Sequence, residues 1–161
     1  MSHEIPSRPQ TFLDRSHIAI VASRYNLEFV DAMLDAARDE LQTVAPNTTI
    51  AVYRVPGAFE VPVTVEKVLR NGEVDAVIAL GVIIKGETEH ADLVGATVTD
   101  ALQKIAVSHC TPVIHEVLLV ANEEQAEERC MGGEINRGTE AARTAVNMAS
   151  LFKKMSTAQK S

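Results

Sequence analysis

Apolar runs along this chain take turns with longer stretches in which apolar side chains recur every three or four residues. The first run, 17–23 (HIAIVAS), predicts a strand. Leu27, Val30, Leu34, Ala37, Leu41 and Val44 then fall on one stripe of an amphipathic helix, which Pro46-Asn47 ends. Residues 48–55 predict a second strand. After a Pro56-Gly57 turn a helix starts near Ala58 and stops at Asn71-Gly72, with Pro62 in its first turn, where a missing N–H costs little. Residues 74–84 (VDAVIALGVII) predict a third strand, apolar nearly throughout, as suits a parallel strand covered on both faces. A polar loop, 85–89, feeds a helix carrying Val94, Val98, Ala101, Leu102 and Ile105. Residues 112–120 predict a fourth strand. Asn122 and Gln125 have capping-box spacing for a short helix that Gly132-Gly133 ends. The last helix runs from Arg137 to about Lys153, with Ala141, Ala145, Met148 and Phe152 on one face, and a tail, 155–161, is expected to fray.

Strand–helix alternation with short loops implies right-handed crossovers and a parallel sheet. The predicted fold is α/β: a flavodoxin-like three-layer sandwich, a four-stranded parallel sheet of order 2-1-3-4 with helices on both faces. The 161 residues show no internal repeat or low-complexity segment and read as a single domain, with 1–14 as an extended N-terminal arm. In such sheets ligands sit beyond the carboxyl ends of the strands. That rule singles out Arg24-Tyr25-Asn26, residues 56–60, residues 85–90 and the region after Val120.

Hydrophobic residues at 46% supply a core, and charged residues at 23% argue against disorder. The net charge of −7 disfavours nucleic acid and anionic membrane as partners, so an anionic ligand must meet locally gathered positive charge. Cys110 and Cys130 have neither metal-ligand spacing nor a disulfide framework, and both read as plain buried or half-buried thiols in a reducing cytoplasm. The polar start, with Pro6 and Pro9, does not read as a signal peptide, and the longest apolar run, 76–84, is too short to span a bilayer. A soluble cytoplasmic protein is expected.

The segment Lys85-Gly86-Glu87-Thr88-Glu89-His90 is the richest in chemistry. Gly86 permits backbone closed to other residues, the helix start beyond offers free N–H groups to an anion, Thr88 adds a hydroxyl, and the His90 imidazole can exchange protons. An ordinary loop with Thr88 as cap and His90 in solvent fits the same residues. Residues 56–62 place backbone N–H groups of Ala58 and Phe59 and the Glu60 carboxylate at a strand end, suited to a polyol or a uracil edge. The helix dipole alone also favours an acid there. Tyr25 with Asn26 forms a platform for a flat heterocycle, or a plain turn. Arg129 and Arg137 flank the Gly132-Gly133 turn as a phosphate clamp, or as surface charges. There is no Ser-His-Asp order, no metal cluster and no redox dithiol.

Together and in order, R-Y-N at 24–26, P-G-A-F-E-V-P at 56–62, G-V-I-I-K-G-E-T-E-H at 81–90, and E-R followed by N-R-G within 128–138 resemble the lumazine synthase family. The resemblance implies an enzyme of riboflavin biosynthesis. It condenses a ribitylaminouracil with a butanone phosphate and needs neither metal nor cofactor. It implies that Tyr25 stacks on the pyrimidine with Asn26 beside it, that Ala58, Phe59 and Glu60 hold the ribityl chain and ring, and that Val82, Ile83 and Ile84 meet the pyrimidine edge. Gly86, Glu87 and Thr88 match the loop that holds the phosphate, His90 the proton-transferring histidine, and Arg129 the phosphate-binding arginine, which in the family comes from a neighbouring subunit. Family members form pentamers with the site between neighbours; some close pentamers into an icosahedral shell, and association with riboflavin synthase is a possible partnership. Residues 11–20 are candidates for reaching a neighbour's sheet edge.

Four departures stand out. His115 replaces the family's usual Phe, Glu116 replaces the Gly after it, and Gly133 stands where a basic residue is familiar. His115 can still lie over the pyrimidine. Arg137 replaces a lysine in N-K-G, keeping the charge of the phosphate site but unable to form a Schiff base. These departures leave an alternative: a non-catalytic protein of this fold that binds a flavin or phosphorylated metabolite, or builds a shell.

Overall fold

The computed structural model describes residues 4–9, 15–134 and 136–158. Four strands, β1 (Ser16–Ser23), β2 (Thr48–Val55), β3 (Ala76–Ile84) and β4 (Val113–Val120), pair in parallel in the order β2-β1-β3-β4. Among the described residues five α-helices connect and cover them: α1 (Leu27–Val44), α2 (Val61–Asn71), α3 (His90–His109), α4 (Glu123–Met131) and α5 (Arg137–Ala158). This is the flavodoxin-like α/β sandwich that the alternation predicts.

Alternation within the strands divides the core in two. Ile18, Ile20, Ile78 and Leu80 face α1, α4 and α5, whereas Ala19, Val21, Val77 and Ala79 face α2 and α3. The central strands β1 and β3 are therefore apolar on both sides, which explains the continuous run at 76–84. The edge strand β2 leaves Val52 and Tyr53 exposed. Helix α5 packs on α1 through small side chains: Ala141, Ala142, Ala145 and Ala149 are all buried.

The helix ends follow their local chemistry. Asn122 caps α4 by accepting the Gln125 N–H at 2.9 Å, and Gln125 Oε1 reaches back to the Ala121 N–H, one residue beyond the usual capping-box donor. The stretch from Ala58 begins as a single 3₁₀ turn, Ala58–Glu60, and becomes α-helical only at Val61, placing Pro62 within the first α-helical turn. At Asn136, Oδ1 accepts the Gly138 N–H at 2.9 Å to start α5, while Nδ2 donates to the Cys130 carbonyl at 2.8 Å. One side chain thus ties the end of α4 to the start of α5.

Three expectations change. Helix α5 continues to Ala158, into the stretch expected to fray, while 159–161 lie outside the described residues. Ser16 to Ile20 are taken up in β1, between β2 and β3, so they cannot also reach a neighbour's sheet; 11–14 lie outside the described residues. Cys110 is exposed, not buried, because it ends α3 in left-handed backbone at φ 46. In the expected arm, residues 4–9 adopt no helix or strand, and Arg8 donates to Glu40 at 2.9 Å. Arg143 on α5 also donates to Glu40, at 2.7 Å, and to the Pro6 carbonyl, at 3.0 Å. Burial alone raises the Glu40 carboxyl, but the two guanidinium groups outweigh it and hold it below the ordinary range. Among the described residues no helix is long and apolar enough to cross a membrane.

Candidate active site

Three turns meet beyond the carboxyl ends of β1, β2 and β3. In the first, the Arg24 and Tyr25 N–H groups both donate to the Pro56 carbonyl at 3.0 Å, which stitches this turn to the next. Asn26 takes left-handed backbone, φ 55, and its carbonyl accepts the Phe29 and Val30 N–H groups to begin α1. Its side chain crosses to β3, where Nδ2 donates to the Val82 carbonyl at 2.8 Å.

In the second turn the Gly57 N–H donates to Glu60 Oε2 at 3.0 Å, folding the carboxylate back over the backbone. The Tyr25 ring lies against Gly57 so closely that a Cβ there would fall 2.9 Å from Tyr25 Cδ2. A larger residue at this position would push the ring aside. Tyr25 and Phe59 are nevertheless 68% and 61% exposed. Two aromatic rings left open at one rim mark a surface waiting to be covered.

The third turn runs from β3 into α3. The Lys85 N–H donates to the Val120 carbonyl at 2.9 Å, and Lys85 Nζ pairs with Asp92 at 2.6 Å. Thr88 was a candidate cap, but its Oγ1 meets the His90 N–H only at 3.5 Å, and the N-cap residue Glu89 offers no side-chain bond. The first-turn donors of a 20-residue helix are thus open to an anion. Gly86 corrects a second expectation. No glycine has positive φ among the described residues, so Gly86 does not need special backbone; a Cβ there would meet nothing within 4 Å.

These turns enclose a cleft of about 530 Å³. Tyr25 and Asn26 line it from the first turn; Ala58, Phe59 and Glu60 from the second; Val82, Ile83 and Ile84 from β3; and Gly86, Thr88 and His90 from the third. Ala91 and Val94 also line it, a pair that sequence reading missed although they follow His90 on the same helix.

Glu87, His115, Arg129 and Arg137 lie outside this cleft. His115 sits in mid-strand on β4, beside Ala79 of β3. Its Nδ1 accepts the Val117 N–H at 3.1 Å, leaving the ring proton on Nε2, 2.7 Å from Thr99 Oγ1. Thr99 in turn donates to the Gly95 carbonyl at 2.8 Å. Burial lowers the His115 pKa, in keeping with a neutral ring of fixed tautomer. Arg129 is half-buried on α4, and Arg137 opens α5 with Nη1 donating to Glu140 Oε2 at 2.8 Å. Sequence reading missed Glu140, although its three-residue spacing from Arg137 on a helix signals the pair.

A doubly wound sheet with its cleft at the strand ends defines the class: a flavodoxin-like α/β protein that takes a small molecule at its rim. The family profile described as 6,7-dimethyl-8-ribityllumazine synthase matches residues 15–153. Relatives bearing that name include one from Chlorobium phaeobacteroides, 39% identical over 139 residues, covering 86% of this chain and 90% of the relative. A Pyrococcus furiosus relative is 39% identical over 138 residues, 86% of each chain. A Halorhodospira halophila relative is 38% identical over 144 residues, 89% of this chain and 92% of its own. The chain belongs to the lumazine synthase family, enzymes of riboflavin biosynthesis that act on small-molecule substrates.

Proposed function

We propose that this chain joins 5-amino-6-(D-ribitylamino)uracil to 3,4-dihydroxy-2-butanone 4-phosphate, forming 6,7-dimethyl-8-ribityllumazine and releasing phosphate and water. The single observation that carries this is the shared cleft: an aromatic face, a polyol-sized polar turn, an uncapped helix start and an imidazole line one space. Its volume of about 530 Å³ suits a substrate pair of this size.

In this reading Tyr25 and Phe59 cover the flat uracil, the Val82–Ile84 strand end meets its edge, and the turn at Ala58 and Glu60 holds the ribityl chain. The phosphate sits at the start of α3 against Gly86 and Thr88, with Glu87 at the mouth. The uracil amine attacks the ketone carbonyl, and loss of water leaves an imine. Loss of the C3 proton then expels phosphate from C4 with the C–O bond pair, and the resulting enol tautomerises to a carbonyl at C3 with a methyl at C4. The ribitylamino nitrogen closes the second ring onto that new carbonyl, and a second water leaves. His90 moves protons to and from the amine and the departing groups. Holding both reactants in one geometry supplies most of the acceleration.

The same reading requires a second copy of the chain. Phosphate at the α3 start carries more charge than the helix end alone neutralises, and Arg129 and Arg137, on α4 and α5, do not line the cleft. A neighbour in a ring of five brings them, with His115, to the open rim. Exposed apolar side chains support such association: Leu93 and Val107 are each 66% exposed, and an apolar groove of about 860 Å³ runs between the ends of α3 and α5. Each copy is read as one domain. A cytoplasmic setting fits the free thiols of Cys110 and Cys130.

The test is direct. Purified chain mixed with both substrates is expected to form fluorescent lumazine and equimolar phosphate well above the uncatalysed rate. A rate at background, with a folded oligomer that still binds a flavin, favours the non-catalytic reading.

Gly86 offers a narrower test. Alanine there is expected to leave folding unchanged or raise stability by about 0.4–1 kcal/mol, since its Cβ has free space. The KM of the phosphate-bearing substrate is expected to rise, because that space is where the phosphate approaches the backbone. Melting temperature and KM, measured on the same Gly86→Ala preparation, separate the two effects.

A further inference from the structure

On β4, Ile114, Leu118 and Val120 carry the apolar face that packs with α4 and α5. Glu116 interrupts that face, paired in register with Leu80 of β3. A carboxylate in this row has no part in the condensation as described, and its surroundings are specific. From α4 it meets the field of Arg129, and Cys130 lies within reach of its charge. From α5 it meets Arg137 and Glu140. The neighbouring strand contributes only Leu80 at that register.

The two arginines are held on one corner, because Asn136 bonds both the end of α4 and the start of α5. Arg137 is engaged by Glu140 through Nη1, yet its Nε is buried with no hydrogen-bond partner among the described residues. A guanidinium has five donors in a fixed fork, and a buried donor left unpaired is costly. Arg137 is thus incompletely satisfied, and Glu116 lies within range of its charge without an ion pair to it, an influence that vanishes when the carboxylate takes up a proton. Burial, against the pull of Arg137, pushes the Glu116 carboxyl up to about 7. The same cluster pushes the Cys130 thiol up to about 11, first by burial and then by Glu116.

We propose that Glu116 is a positioning residue that tunes the anion grip of Arg129 and Arg137: ionised, it competes for them and weakens their hold on phosphate; protonated, it leaves both to the ligand. This rests on the reading that these two arginines face the phosphate of a neighbour's cleft. By linkage, a bound anion favours protonated Glu116, so affinity rises as pH falls through the neutral range and drops above it. Glu140 and Arg143 do not substitute for this control: Glu140 is committed to Arg137, and Arg143 to Glu40.

The test uses the intact oligomer and sulfate, whose charge is constant across neutral pH, as a competitor of the phosphate-bearing substrate. Between about pH 6 and about pH 8 the wild type is expected to lose about fivefold more sulfate affinity than E116Q, the low end of a typical coupling. At the higher pH the benefit of E116Q falls on the KM of the phosphate-bearing substrate and not on kcat, a split that a general loss of packing does not give. E116D keeps the carboxylate and is expected to retain the pH dependence with a shifted midpoint, which preserves the test if E116Q fails to assemble. Coincident pH profiles for wild type and E116Q, or for wild type and E116D an absence of any pH dependence, overturn the proposal. Arg129→Ala and Arg137→Ala separate the two levels. If neither weakens sulfate binding, the placement of the arginines is wrong. If both weaken it while the E116Q profile matches wild type, only the role of Glu116 is wrong.

Discussion

Gly138→Ala is expected to destabilise this chain more than any other single methyl addition. A Cβ at Gly138 would fall 1.9 Å from the Met33 carbonyl oxygen and 2.7 Å from its carbon. Both are backbone atoms in the middle of α1, so no rotamer change relieves the clash. The helices must move apart, and the small buried side chains of α5 lose their contacts with α1. Overpacking of this kind costs about 3 kcal/mol or more, a large share of the roughly 5–15 kcal/mol that holds a small domain together. The check is denaturant unfolding, with a lower midpoint at an unchanged slope. Gly133→Ala is the control: nothing lies within 4 Å of a Cβ there, and the midpoint is expected to stay where it is.

His90→Ala is expected to lower kcat by about 10²–10⁴-fold and still leave turnover above the uncatalysed rate. The imidazole lies at the cleft wall on the first residue of α3, beside the uncapped N–H groups proposed to hold the phosphate. Its removal takes away proton transfer but leaves the surfaces that hold and align the two substrates. The KM of the uracil substrate is expected to change little, since Tyr25, Asn26 and the β3 strand end are untouched. Steady-state kinetics on both substrates decide this. Complete loss of turnover with intact binding contradicts the division between orientation and proton transfer, and an unchanged kcat removes His90 from the chemistry.

Much of the fold was readable in the chain because its cues are local. The unbroken apolar run at 76–84 reads as a strand covered on both faces, and it is the central β3. The Leu27-to-Val44 stripe gives α1 with both ends in place. Asn122 caps α4 through its own side chain. Where the reading slipped, the deciding atoms lie far apart in sequence. Asn26 was chosen for its amide, but nothing nearby reveals that the amide reaches Val82, 56 residues on. Gly86 was assigned special backbone, whereas open space is what it provides. Gly57 lets the Tyr25 ring lie close against it, a contact between two turns.

The candidate site was legible to different depths on its two sides. Segments ending β1, β2 and β3 were placed together by the strand-end rule, and their side chains line one cleft. His115, Arg129 and Arg137 were assigned to the same chemistry but stand outside that cleft in one chain. No periodicity within a sequence states which face meets another copy. Glu116 was recognisable only as a residue out of place. Its meaning depends on three charged groups, Arg129, Arg137 and Glu140, that α4 and α5 bring towards it.

The central claim is that one chain supplies the cleft and its neighbour the arginines. The most direct test mixes His90→Ala and Arg129→Ala subunits, after separating and reassembling the two proteins together. Random assembly into rings gives about one interface in four with an intact cleft facing an intact arginine, so the mixture is expected to recover about a quarter of wild-type activity. A mixture no more active than its two parents, with both variants folded and assembled, contradicts a site shared between subunits.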